Sequence, residues 1–180
     1  MEKISGKKRP PAKPVTAFRT ALTRLHLADQ KAIFSGMPAA IMAALWRDRL
    51  EESIRKSRTR QQKDVLKQIA DQITPGVYDR RSPAERKRFL SFYRKFQPTA
   101  LAAFGADAAR FRKISTLLGE GPTTAQLTQA AAVANCDCSL AAKGTGCDDC
   151  LTTNCKRISC TSTAFGCGCW WASSCDGICK

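Results

Sequence analysis

Residues 134–180 read ANCDCSLAAKGTGCDDCLTTNCKRISCTSTAFGCGCWWASSCDGICK, and all ten cysteines of the 180-residue chain fall in this stretch. A segment of about 45 residues is at the size where a hydrophobic core alone rarely suffices and covalent staples take over. Gly, Ser, Thr, Cys and Asp dominate it and regular periodicity is lost, which predicts loops and turns. Short strands are expected around Thr152–Cys160 and Phe165–Ala172.

The cysteines are Cys136, Cys138, Cys147, Cys150, Cys155, Cys160, Cys167, Cys169, Cys175 and Cys179. An even number at this density implies a disulfide framework and an oxidising destination. Each bridge contributes roughly 2–4 kcal/mol by restricting the unfolded chain. The pairing stays open, because ten cysteines allow about 945 arrangements. Metal binding is the second reading. Cys147-x-x-Cys150 has zinc-ligand spacing, and Cys136/Cys138 or Cys167/Cys169 could add thiolates for zinc or copper(I). Against it, the tail has no histidine and no second C-x-x-C. Thioether cross-linking to dehydrated Ser or Thr is the third reading, with ten such residues in the tail.

Outward from the tail the chemistry changes abruptly. Residues 1–133 carry 26 Lys+Arg against 11 Asp+Glu, whereas residues 134–180 carry four of each. The whole net charge of +15 therefore belongs to the cysteine-free part. Met1–Pro14 is basic and proline-rich and reads as a disordered arm. Charges at Arg19, Arg24, Asp29 and Lys31 interrupt the stretch from Val15 to Phe34, so no secretory signal core and no membrane span is expected.

Helical punctuation fills the rest. One helix is expected from Thr16 to about Phe34, with a weak apolar stripe. Ser35 and Pro38 open a stronger one carrying Ile41, Leu45, Trp46, Leu50 and Ile54. Thr59-Arg60-Gln61-Gln62 is a capping box that starts a helix with Val65, Leu66, Ile69 and Ile73 on one face. That helix is stopped by Thr74-Pro75-Gly76. Ser82-Pro83-Ala84-Glu85 is a second capping box, whose helix presents Phe89, Phe92 and Phe96 and is expected to end before Pro98. Further helix, broken at Gly105, should carry Phe104, Phe111, Ile114, Leu117 and Leu118. The expected fold is mainly α: a basic arm (1–14), a helical domain (15–118) with its bundle over 35–118, a linker (119–133) and a small disulfide-rich, loop-rich module (134–180).

The run Ala134-Asn135-Cys136-Asp137-Cys138-Ser139, with Phe165-Gly166-Cys167-Gly168-Cys169-Trp170-Trp171 and the terminal Cys175 and Cys179, resembles the fulvocin C-related bacteriocins. The resemblance is confined mainly to residues 134–180, and the cysteine count and the charges after Cys138 depart from the family. It implies an antimicrobial precursor with a long helical leader and a cysteine-rich core peptide cleaved near Val133–Ala134. Ala132-Val133-Ala134 lies in a small, uncharged run and has the A-x-A form of a signal-peptidase site. The alternative is an uncut alanine-rich linker. The partners implied are processing or export machinery and the envelope or membrane of a target cell, with the peptide secreted after processing.

Trp170 and Trp171 are adjacent, so in an extended segment they face opposite sides and at least one is expected at the surface. With Phe165 they are the candidate membrane or target contacts, since exposed indoles favour membrane interfaces and partner hot spots. The competing expectation is that they cover disulfides in a mini-core. Basic clusters at Arg55–Arg60, Arg80-Arg81, Arg86–Arg88, Arg94-Lys95 and Arg110–Lys113 could bind nucleic acid or anionic lipid, or form a solvated face. A basic helical nucleic-acid-binding or regulatory protein with a metal-binding tail is therefore the alternative function. His26, the one histidine, sits in no catalytic motif. No phosphate loop, paired-carboxylate or metallohydrolase motif occurs, so neither an enzyme nor a cofactor is expected.

Overall fold

The computed structural model of the chain describes residues 14–120, 135–136, 155–156, 163–175 and 177–179. Among these the fold is mainly helical, with α1 Pro14–Leu22, α2 Leu27–Ser35, α3 Ala39–Lys56, α4 Arg60–Gln72, α5 Pro83–Phe104 and α6 Ala108–Thr116. Five short strands complete it: β1 Asn135–Cys136, β2 Cys155–Lys156, β3 Thr163–Cys167, β4 Ser173–Cys175 and β5 Gly177–Cys179. Antiparallel pairing gives a sheet ordered β1-β5-β2 and a separate β3–β4 hairpin.

The expected helix from Thr16 to Phe34 is two helices. Leu22 and Leu27 are both buried, yet five residues apart they point about 140° from each other on one helix. The turn at 23–26, leaving His26 extended (ψ 148°), brings both to the core together with Phe34. α3 then supplies Leu45, Trp46 and Leu50, all fully buried. The Thr59 cap forms: its hydroxyl accepts from the Gln62 amide at 3.1 Å, while Gln62 Oε1 accepts from the Arg58 amide at 3.2 Å. α4 buries Val65, Leu66 and Ile69 behind it.

Two expectations about α5 are corrected. Ser82 makes no side-chain cap bond, and Glu85 instead accepts from the Thr74 hydroxyl at 3.1 Å, fastening α5 to the end of α4. Nor does the helix stop at Pro98; it runs through it to Phe104. An internal proline costs about 3 kcal/mol, and the turn beyond it offsets this by burying Ala100, Ala103 and Phe104. α6 contributes Phe111 and Ile114, and Leu117 and Leu118 close the core below it.

One apolar cluster joins these side chains, and it also contains Phe165, Cys169, Trp170, Trp171 and Ala172. The compositional boundary near residue 134 is thus not a packing boundary. β3 lies against α2, and the turn after it lies against α6.

Candidate functional site

The site is the β3–β4 hairpin and the aromatic slot that receives it. Cys167 and Cys175 are disulfide-bonded with Cα atoms 5.2 Å apart, clamping the two strands across the turn. Within the turn Gly168 has φ 70°, Trp170 φ 60° and Trp171 φ 49°. A left-handed conformation costs a non-glycine residue roughly 1–2 kcal/mol, and here two tryptophans in a row adopt it. The return is geometric. Extended neighbours would point to opposite faces, but these two indoles both meet Trp46 edge-on, with centroids 5.3 and 5.6 Å away.

The slot is assembled from several helices. Phe34 of α2 meets Trp171 edge-on at 5.2 Å, and Tyr93 of α5 meets Trp170 at 5.6 Å. Tyr78, on the 3-10 turn Pro75–Tyr78, packs on Phe34 and Phe165. Such T-shaped pairs contribute about 0.5–1.5 kcal/mol each beyond area burial. Two polar ends are matched, whereas Trp46 Nε1, Trp170 Nε1 and the Tyr93 hydroxyl are buried without a hydrogen-bond partner among the described residues. The Tyr78 hydroxyl donates to the Trp170 carbonyl at 2.9 Å, and Trp171 Nε1 donates to the Thr116 carbonyl at 2.9 Å. Burial raises the Tyr78 pKa well above its ordinary value, keeping the hydroxyl protonated and able to donate. Arg86 spans the rim, its guanidinium 5.2 Å from the Phe165 ring centroid and its Nη1 donating to the Ala164 carbonyl at 3.4 Å. Gly166, at φ 115°, lets the hairpin approach α2 closely, since a Cβ there would stand 3.3 Å from the Lys31 carbonyl oxygen.

The candidate contact residues Phe165, Trp170 and Trp171 are therefore together, and all are 0 % exposed. The expectation of a surface indole is corrected for the intact chain, because the helical part offers a ready apolar slot. Cys169 is also disulfide-bonded, to a partner outside the described side chains. Backbone pairing sets Cys155 opposite Cys179, and Cys136 opposite Gly177. Cys138, Cys147, Cys150 and Cys160 lie outside the described residues, as do Ala132, Val133 and Ala134 and therefore both the C-x-x-C metal reading and the cleavage region. Among the described residues no cluster of three or more His, Cys, Asp or Glu is arranged to hold a metal ion, and no helix is long and apolar enough to cross a membrane. His26 is exposed at the start of α2.

Sequence reasoning missed the receiving side. Phe34, Trp46, Tyr78 and Tyr93 are scattered over 60 residues, and only Trp46 stood out by periodicity. It also missed a charged seam behind the slot. Arg19, 5 % exposed, donates to Asp48 at 2.7 Å, to Glu52 at 2.6 Å and to the Leu118 carbonyl at 2.6 Å, tying α1 to α3 and to the end of the helical part. Burial would raise the Glu52 pKa, but hydrogen bonds from Lys56 and Arg19 outweigh it and hold the carboxyl at about 2.

What the arrangement does chemically is sequester: it removes three large aromatic side chains of the tail from solvent. No protein-family model matches the chain, and no curated protein or solved structure matches it either.

Proposed function

We propose that the chain is a bacteriocin-like antimicrobial precursor, whose helical part holds the aromatic residues of the cysteine-rich tail hidden until release. The released tail then acts on the envelope or membrane of competing bacteria. The observation that carries this reading is the complete burial of Phe165, Trp170 and Trp171 in the helical core. A tail of zero net charge gains nothing from attraction to anionic lipid, so its action depends on these aromatic side chains. While docked, it is inert.

One backbone cut near Ala132–Val133–Ala134 would not free it, because the hairpin would stay seated against Trp46 and Phe34. Release needs degradation or unfolding of the helical part, or a target that competes for the indoles. Mass spectrometry of the culture medium tests this. A peptide starting near Ala134, lighter than its reduced form by about 10 Da if all ten cysteines pair, is expected. It should kill sensitive cells when separated from the helical part and lose potency when that part is added back. Finding only the intact chain in the medium sinks the precursor reading. It would favour a second one, supported by the shared core: an uncut interaction protein whose hairpin permanently completes the helical domain.

A further inference from the structure

α3 and α6 line a half-open cavity of about 240 Å³ whose lining includes Arg49, Lys56, Arg110, Lys113 and Glu120. Four cations stand there against two carboxylates, Glu120 in the lining and Glu52 beside Arg49 and Lys56. Arg49 is 2 % exposed, and its Nε is buried with no hydrogen-bond partner. Its Nη1 lies 3.3 Å from Glu120 and 3.6 Å from Glu52. Lys56 bridges the same two carboxylates at 2.7 Å each. Arg110 donates to the Lys56 carbonyl at 2.9 Å, and neither Arg110 nor Lys113 pairs with a carboxylate among the described residues. Arg110 and Lys113 leave the cavity with positive charge beyond what Glu52 and Glu120 neutralise, which an anion bound there would offset.

The Glu120 side chain is 69 % exposed and reaches in from the end of the described helical part. It stands on no helix of its own, and its carboxylate occupies the position an external anion would take. Lys56 and then Arg49 hold its pKa below the ordinary carboxylate value despite partial desolvation, so it is a charged occupant at neutral pH.

We propose that this cavity is a binding site for a phosphate-type oxyanion, with Glu120 as a built-in competitor for Arg49 and Lys56. A tetrahedral dianion suits the site better than one carboxylate. It carries enough charge for the four cations and enough acceptors for the forked guanidinium of Arg49 and the ammonium of Lys113 together. A free phosphate and a lipid phosphomonoester headgroup share this chemistry.

Titration calorimetry of the full chain with inorganic phosphate, at constant ionic strength set by chloride, tests the site. Saturable binding is expected. Glu120→Gln should tighten it about two- to fivefold by removing the competing charge, and Lys113→Ala should weaken it by a similar factor. Lys113 is exposed, so its variant keeps the fold while probing the mouth of the cavity. Co-sedimentation with phosphatidic acid vesicles separates the sources. Binding to vesicles but not to free phosphate, still strengthened by Glu120→Gln and weakened by Lys113→Ala, assigns the site to the headgroup. No binding in either arm, or binding that neither variant alters, overturns the proposal.

Discussion

The helical part and the β3–β4 hairpin bury aromatic side chains by opposite routes. In α3 to α6, Trp46, Phe89, Tyr93 and Phe111 reach the core because a helix returns a side chain to the same face every three to four residues. The hairpin has no such period. It gets Trp170 and Trp171 to one side through two consecutive left-handed residues, glycines at 166 and 168, and a disulfide across the turn. The difference shows that the composition of a segment and the core it belongs to are separate properties. A charge-neutral, cysteine-rich stretch can be foreign to the rest of the chain in every residue count and still complete its hydrophobic centre.

If the two regions share one core, Trp46→Ala should be the most damaging change. It opens a void facing both indoles and is expected to cost about 3–5 kcal/mol. Helix ellipticity and tryptophan emission should then lose their structure in one coincident denaturant transition at lower midpoint. Two separated transitions would break the comparison by making the hairpin an independent unit. The disulfide comes next. Replacing Cys167 and Cys175 together by Ser reopens a loop of sequence separation 8, worth about 2–3 kcal/mol in the chain-entropy model. Helix stability should fall along with that of the hairpin, although neither residue lies on a helix. An unchanged thermal midpoint for the helices would contradict the shared core.

The smallest effect sharpens the helical side alone. Glu52 is held at about 2 against an ordinary value of 4.5, so the folded state favours its charged form. Its contribution is fully present above about pH 4.5 and is lost as pH falls towards about 2. Stability of the intact chain should therefore decline across that window, and Glu52→Gln should flatten the decline in an acid-titration series of denaturation curves.

The helical elements were legible where punctuation and periodicity agreed, as at Thr59–Gln62 and over Leu45–Leu50. They were not legible where local signals lose to burial. Pro98 is a helix stop by its own chemistry, but Phe104 beyond it is pulled into the core. The Ser82–Glu85 box has the right letters, yet Glu85 finds a partner across the fold in Thr74. The candidate site was half legible: Phe165, Trp170 and Trp171 could be singled out from residue type, but of the four aromatics that receive them only Trp46 was marked, by its helical spacing.

By itself the sequence determined a mainly helical chain, the confinement of all its positive surplus to the first 133 residues, and a tail dense in cysteines. Those features rest on local order and counting. Only the tertiary structure decided that the indoles point inward and that the hairpin and the helices have a single core. Whether an apolar side chain is exposed depends on the surface opposite it. Here that surface is built from residues 34, 46, 78 and 93, which only the folded chain brings together.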